Sequence, residues 1–364
     1  MKNGKLVVVE LIAELISRGG AETFFYSLVE EMSKKNDIEL HVVVLYKNIH
    51  NSFESLFQNR NIHMHIIGKH KGPDFGCAKR LKRIIREIQP DVINGHLNYL
   101  LTYCLAFGRR TQQFKLVHTT HSFSENEQLK FKKHLNKKHL INFIGISDLV
   151  TNQIKKELSN TTFVKTIYNG IPLEPVNMNS NRTNDFIIVA SLSPVKNHKL
   201  LLKAFDKYMK TYGLSSLLIV GGGPLLEETK QYAIELGCDK NVEFTGTQSN
   251  VYPFLLKSKS FVLCSHREGN PISILEAMNA GLPIATFSVG GIPDIVKDGK
   301  NGFLAEPDNI DSLVDAMHKS LSLNDNNIIG RYNHEYIKQY SINNTVLQYV
   351  NLFYELTQKN ANHR

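Results

Sequence analysis

Two carboxylates eight positions apart, Glu268 and Glu276, frame the part of this 364-residue chain best equipped for chemistry. The stretch Ser265–Gly281 reads as strand end, tight turn and helix. The apolar run Phe261–Cys264 suits a buried strand, Asn270 is a good N-cap, Pro271 fits the first helical position, and Gly281 is placed to end the helix at C′. Such a helix start leaves free amide N–H groups near Ile272 and Ser273, an end that favours an anion. In an α/β protein a strand-to-helix turn of this kind is where phosphates sit. Glu268 would stand in the turn and Glu276 on the helix, so the two carboxylates bracket whatever binds there and suit hydroxyl groups. Taken alone, such a pair is more often one solvated loop acid and one surface helix acid.

The elements that must position these residues follow from patterning. Apolar runs alternate with helical patterns at Leu6–Ala13, Leu40–Tyr46, His63–Ile67, Val92–Gly95, Lys115–Thr119, Phe143–Ile146 and Phe163–Tyr168. Strand alternating with helix implies a parallel sheet covered on both faces. Pro172–Asn184, with two prolines and four asparagines, breaks the pattern and reads as an interdomain linker. A second series follows: Phe186–Leu192, Leu217–Gly221, Val242–Thr245, Phe261–Ser265, Ile284–Phe287 and Phe303–Leu304. The expected organisation is one Rossmann-like domain over residues 1–172 and another over 173–343, with a last helix near 344–359 that returns to the first. Two doubly wound domains in tandem put a cleft between them, with ligands at the carboxyl ends of the strands.

Glu268 is followed by Gly-Asn-Pro and Glu276 by Ala-Met-Asn-Ala-Gly-Leu-Pro, and this context resembles the donor-site signature of retaining GT-B glycosyltransferases, in particular glycosyltransferase family 4. The resemblance implies a GT-B fold, with an acceptor-binding first domain and a nucleotide-sugar-binding second domain. It places Glu268 at the donor-sugar hydroxyls, Glu276 at the ribose, and the backbone of Gly269, Asn270, Pro271, Ile272 and Ser273 near the diphosphate. Gly19 and Gly20, in Gly-Gly-Ala-Glu after the first strand, are similar to the family loop that closes over the donor diphosphate, where glycines let a backbone approach closely. His121, in Thr-Thr-His-Ser-Phe, matches the histidine at the junction of donor and acceptor. Ser147 and Asn169-Gly170 match cleft-lining and hinge positions.

Lys196, in Ser-Pro-Val-Lys-Asn-His, would offset the charge of a departing diphosphate. Ser191 stands where the family usually carries a phosphate-binding Arg, which leaves Lys196 as the main cation, with Arg18 or Arg267 as substitutes. Gly221–Pro224, Thr245-Gly246-Thr247 (where the family holds the base), Gly290–Asp294 and Asn301–Leu304 continue the match, which spans most of residues 186–308.

Charge is uneven along the chain. Residues 1–172 hold 25 basic and 15 acidic side chains, residues 173–364 hold 18 and 19. Lys79, Arg80, Lys82, Arg83 and Arg86 surround an apolar helical stripe of Leu81, Ile84, Ile85 and Ile88, and Lys130, Lys132, Lys133, Lys137 and Lys138 form a second cluster. A basic first domain suits an anionic membrane surface or a polyprenyl-diphosphate carrier. It carries no nucleic-acid motif and no interleaved aromatics for stacking, so nucleic acid is not an expected partner. Cys77, Cys104, Cys238 and Cys264 are too dispersed for a metal site and read as reduced thiols. No apolar run approaches the roughly 20 residues of a spanning helix. Lys2 and Lys5 before Leu6–Ile16 could imitate a signal peptide, but Glu10 and Glu14 interrupt the run and a first buried strand is expected instead.

The expected protein is therefore a bacterial, cytoplasmic glycosyltransferase of EC class 2.4, peripheral on the inner face of the membrane. It would move a sugar with retention from a UDP-linked nucleotide sugar to a hydroxyl of a lipid-linked saccharide or polysaccharide acceptor in cell-surface glycan synthesis. No metal and no further cofactor is expected, since Lys196 and the helix N–H groups can do that electrostatic work and no Asp-x-Asp motif is present. The alternatives are a nucleotide-sugar 2-epimerase of the same fold and a catalytically silent nucleotide-sugar-binding subunit, the latter motivated by Ser191.

Overall fold

Leu-Val-Val-Val-Glu-Leu-Ile, the first strand β1 (Leu6–Ile12), has no alternation of apolar and polar residues, and every one of its residues is buried. A run of this kind needs cover on both faces, which a parallel sheet between helices supplies. In the computed structural model, which describes residues 4–15, 19–69, 74–96, 114–121, 141–158, 163–175, 181–322 and 328–358, this pattern occurs twice. The described residues form two compact units, Met1–Gly170 with Ile342–Arg364, and Ile171–Ser341.

In the first unit β1 is joined by β2 (Ile38–Val44), β3 (Ile62–Ile66), β4 (Val92–His96), β5 (Lys115–Thr120), β6 (Asn142–Gly145) and β7 (Val164–Thr166). Their order is β3-β2-β1-β4-β5-β6-β7, all parallel. The second unit orders β8 (Asn184–Val189), β9 (Leu217–Val220), β10 (Val242–Gly246), β11 (Ser258–Leu263), β12 (Ile284–Phe287) and β13 (Gly302–Ala305) as β10-β9-β8-β11-β12-β13, again all parallel. Each strand coincides with an apolar run in the sequence, its ends moved by a few residues. The order reverses between β1 and β4 in one sheet and between β8 and β11 in the other, and such switch points open a crevice at the carboxyl ends of the strands.

Helices cover the first sheet through apolar stripes. Gly20–Met32 buries Phe24, Phe25, Leu28, Val29 and Met32. Phe75–Ile88 buries Leu81, Ile85 and Ile88 against Val7, Val9 and Val43 of the sheet. Its start is capped by the Asp74 carboxylate, which accepts from Cys77 N–H at 3.0 Å and also pairs with Arg80 at 2.6 Å. Lys79, Lys82, Arg83 and Arg86 face solvent. The helix Ile342–Gln358 belongs to this unit although residues 171–341 intervene in sequence. It buries Val346, Tyr349, Val350, Leu352 and Phe353, and Thr345 Oγ1 donates to the Tyr168 carbonyl at 3.2 Å.

The helix after Glu268 runs from Ile272 to Asn279, and Pro271, not Asn270, occupies its N-cap position with no side-chain cap. The reason is the Pro271 backbone: φ −71° is compatible with a helix, but ψ 115° is extended, so the chain turns one residue later than the Asn-Pro pair suggests. Its other end is as expected. Gly281 has φ +70°, and the N–H groups of Gly281 and Leu282 bond the carbonyls of Met278 and Ala277, both at 2.9 Å, a Schellman closure that needs a residue in the left-handed region.

Candidate active site

In the second unit, two loops leave neighbouring strands at the switch point. After β8 a short 3-10 turn, Pro194–Lys196, leads through Asn197, itself left-handed at φ 54°, into the helix His198–Tyr212. After β11 the chain runs Cys264–Pro271 to the helix Ile272–Asn279. The loops are tied together by His266 N–H to the Val195 carbonyl at 2.8 Å, and by the Cys264 thiol, 3.3 Å from the Asn197 carbonyl. Burial pushes that thiol up to about 12, so it stays protonated. Between them Lys196 Nζ donates to Glu268 Oε1 at 2.5 Å, with the lysine side chain 24% exposed and the glutamate 9%. A cation and a carboxylate 72 residues apart in sequence thus meet beside a helix N-terminus.

Glycines fix the backbone around this pair. A Cβ on Gly290 would lie 1.8 Å from the Glu268 carbonyl oxygen, and Gly291 N–H donates to that same oxygen at 3.0 Å. The Gly-Gly turn after β12 is therefore what holds the Glu268 peptide. Gly221 does the same for the exit from β8: a Cβ there would sit 1.9 Å from the Ala190 carbonyl oxygen. Gly246 ends β10 at φ +70° with open space beside it. Ser191 is exposed, its Oγ 3.4 Å from Ser193 Oγ. Glu276 lies half-buried on the helix, and its charge helps raise the pKa of Tyr252, after burial and Glu174.

His198, next to Lys196, is 4% exposed, and neither ring nitrogen has a hydrogen-bond partner among the described residues. Burial, reinforced by the Lys196 charge, pushes its pKa down to about 4. The unfolded chain takes up this proton near pH 6.5 and the folded chain does not, so stability is lost as pH falls from about 6.5 towards 4. Between pH 7.5 and 5.0 this one residue costs about 2 kcal/mol. The drop in thermal midpoint between those two pH values should shrink in His198→Met, and an unchanged drop would remove His198 as its source.

In the first unit the sequence marked His121 and the Gly19-Gly20 turn, and the structure adds residues behind the histidine. Gly19 and Gly20 start the helix Gly20–Met32, with Gly19 extended at the N-cap; Arg18 and the lysine cluster 130–138 lie outside the described residues. His121, just past β5, is 9% exposed and packs on Phe24, ring centroids 5.7 Å apart. Its Nε2 is 2.9 Å from His96 Nδ1, and His96 Nε2 is 2.7 Å from Glu10 Oε2. Glu10 is fully buried in β1, opposite Asn94 of β4, whose Nδ2 donates to Glu10 Oε2 at 2.9 Å. Thr119 Oγ1 donates to Asn94 Oδ1 at 3.0 Å and lies 3.3 Å from Tyr349 OH.

Burial raises the Glu10 pKa well above its ordinary value, the Asn94 bond opposing in part, and lowers those of His96, to about 3, and His121. Glu10, His96 and His121 thus form one continuous buried hydrogen-bonded chain, and Asn94 Nδ2 also lies 2.9 Å from His96 Nε2. The other His121 nitrogen, Nδ1, is buried and has no hydrogen-bond partner among the described residues. The buried chain therefore fixes the His121 ring through Nε2 at the end of β5. Ser147, matched above to a cleft-lining position, is instead fully buried: its Oγ accepts from Val150 N–H at 3.3 Å and caps the helix Asp148–Leu158.

The sequence matches two families over consecutive halves: Glycosyltransferase Family 4 over residues 18–175 and Glycosyl transferases group 1 over residues 174–339. It is 24% identical over 343 residues to the N-acetyl-alpha-D-glucosaminyl L-malate synthase of Bacillus anthracis, covering 87% of each chain. It is 35% identical over 136 residues to the UDP-Gal:alpha-D-GlcNAc-diphosphoundecaprenol alpha-1,3-galactosyltransferase of Escherichia coli, covering 36% of this chain and 35% of that one. Among solved structures, Anabaena HepE in complex with UDP superposes with a TM-score of 0.80 at 17% identity, over 96% of this chain and 100% of the other. With two all-parallel α/β units and matches in both halves, the protein is a GT-B glycosyltransferase of the group 1/family 4 kind.

Proposed function

We propose that this glycosyltransferase is metal-independent and retaining, and that it moves a sugar from a UDP-linked donor to a hydroxyl of a lipid-linked saccharide or polysaccharide in bacterial cell-surface glycan synthesis. The observation that carries the reading is the Lys196–Glu268 pair at the switch point of the second sheet. Without donor, each group satisfies the other. With donor bound, Lys196 turns to the diphosphate oxygens and Glu268 to the sugar hydroxyls, and the N–H groups of Ile272 and Ser273 complete the anion site. Glu276 takes the ribose, the Gly246 backbone lies by the base, and Gly19-Gly20 close over the phosphates. His121 lies at the junction of donor and acceptor and steadies a donor-sugar hydroxyl, the acceptor enters on the face the diphosphate leaves, and a phosphate oxygen takes its proton. The name of the Escherichia relative, a UDP-Gal transferase to a sugar on a lipid diphosphate, supports this donor and acceptor class, whereas the Bacillus name, with L-malate in it, supports only glycosyl transfer as such.

Among the described residues no helix is long and apolar enough to cross a membrane. The solvent-facing Lys79, Lys82, Arg83 and Arg86 support contact with the cytoplasmic leaflet instead. At about 1 kcal/mol per basic side chain near an anionic surface, reversing three of them weakens vesicle binding by at least about a hundredfold.

The test is UDP release from a panel of UDP-sugars, with chelator present, with and without membrane lipid extract, and product anomers read by NMR. Release that needs the extract, survives the chelator and gives the donor's own anomeric configuration is expected. Co-sedimentation with phosphatidylglycerol vesicles should fall in Lys82→Glu/Arg83→Glu/Arg86→Glu. Release without acceptor, accompanied by an epimerised sugar, would replace the proposal with an epimerase, and donor binding without turnover would replace it with a silent subunit.

A further inference from the structure

The edge strand β3 and its neighbour β2 carry a second cluster of chemically capable side chains. In a strand, alternate residues share a face, so Glu39 and His41 point one way from β2, and His63 and His65 one way from β3. The register sets His41 opposite His63 and Val43 opposite His65. Donor atoms of Glu39, His41 and His63 all lie within 4.8 Å of one another, and among the described residues no other three His, Cys, Asp or Glu side chains converge in this way. Glu39 Oε1 is 3.1 Å from His41 Nε2, and the His41 and His63 rings stack with centroids 4.7 Å apart. His41 is 8% exposed, whereas His63 faces solvent.

Those separations are close to what a tetrahedral ion requires. Zinc takes nitrogen and oxygen ligands at about 2.0–2.2 Å, which puts neighbouring ligand atoms about 3.3–3.5 Å apart. Only the exposed His63 has to swing inward. The remaining nitrogen of His41 is already occupied in the manner a ligating histidine needs: His41 Nδ1 is 3.0 Å from His65 Nε2, which fixes the ring and leaves Nε2 for the ion. A bland account is available, since edge strands commonly carry polar side chains as protection against pairing. It explains exposed His63, but not a buried imidazole held at both nitrogens with a carboxylate on its outer one.

We propose that Glu39, His41 and His63 form a binding site for a divalent cation of the zinc class, with His65 orienting His41. Two imidazoles and one carboxylate select borderline ions such as zinc over magnesium or calcium, which prefer all-oxygen sites. Bridging β2 and β3, the ion clamps the edge strand to the sheet. Its role is structural, because β1 and β2 separate β3 from the strands that carry His96 and His121.

The test uses full-length protein without an affinity tag, stripped by chelator and titrated with zinc in a calorimeter, with magnesium as control. One equivalent of zinc should bind at micromolar concentration or tighter and raise the thermal midpoint, magnesium should do neither, and UDP release should be the same with and without zinc. His63→Ala, at an exposed position, and Glu39→Gln should each weaken zinc binding by about tenfold or more and abolish the rise in midpoint. Absence of stoichiometric binding, or equal binding by both variants, would overturn the site. Either result leaves the transferase reading untouched.

Discussion

Under the proposed mechanism Lys196→Ala should lower kcat/KM for UDP-sugar turnover by about 10²- to 10³-fold, the loss expected when one group stabilising developing charge is removed. The argument is one of timing. The charge on the diphosphate grows as the glycosidic bond breaks, so a cation at that position stabilises the transition state more than the bound donor, and the loss falls on kcat more than on KM. Glu268→Ala acts differently: a carboxylate that holds sugar hydroxyls contributes to donor binding as well as to orientation, so KM rises along with the fall in kcat. Since the two side chains touch at 2.5 Å, their effects are coupled, and the double variant loses less than the product of the single losses. Removing one partner also leaves the other charge uncompensated, at 9% exposure in the case of Glu268, so each variant is compared at matched folded fraction. Initial rates below KM for the four proteins decide the matter. A Lys196→Ala enzyme within threefold of wild type would show that another group carries the leaving-group charge, Arg267 being the residue to test next.

The division between what could be read along the chain and what could not has a physical basis. Parallel strands buried on both faces leave unbroken apolar runs, and helices between them leave a different period, so the two sheets were legible as alternation. The placement of Glu268 and Lys196 was legible because it is written locally, in a strand end, a turn and a helix start; that the two side chains pair was not. Glu10 and Asn94 were not, and of His96 only its place at a strand end was visible, where a histidine is more often structural than catalytic: the three come from two strands 84 residues apart, and only the β1–β4 register brings them together. A further local signal was Glu10 itself, a carboxylate inside an apolar run on a central strand, which by itself argues only against a signal peptide. Gly290 shows the same limit from the other side. Its place in a turn motif was visible, but the constraint it meets, the Glu268 carbonyl, belongs to a different loop. Asn270 and Ser147 show that local preference can also mislead. An Asn before a Pro is a favourable cap until the proline's ψ delays the helix, and a serine after a strand is as good a helix cap as a ligand contact.

The helix Ile342–Gln358 ties this buried network to stability, and the residue that does so is Tyr349. Its ring is fully buried, with Phe24 and Phe353 centroids at 6.3 and 6.0 Å, and its hydroxyl lies 3.3 Å from Thr119 Oγ1. Tyr349→Ala removes a whole aromatic side chain from a packed core, at a cost of about 3–5 kcal/mol. Tyr349→Phe removes only the hydroxyl, and because Thr119 keeps its bond to Asn94, the cost is about 1 kcal/mol. Thermal unfolding should show a midpoint about 10 °C or more lower in the alanine variant and little change in the phenylalanine variant. The helix packs on Gly20–Met32, and Phe24 of that helix also supports His121. A hydrogen-bonded path runs from Tyr349 through Thr119, Asn94, Glu10 and His96 to His121, so the cavity left by alanine loosens the histidine's support at two points. The alanine variant should therefore lose turnover even at temperatures where it is fully folded, and the phenylalanine variant should keep it. If Tyr349→Ala melts with wild type, the last helix is not part of the first unit's core; if it melts early but turns over normally when folded, the buried chain does not position His121.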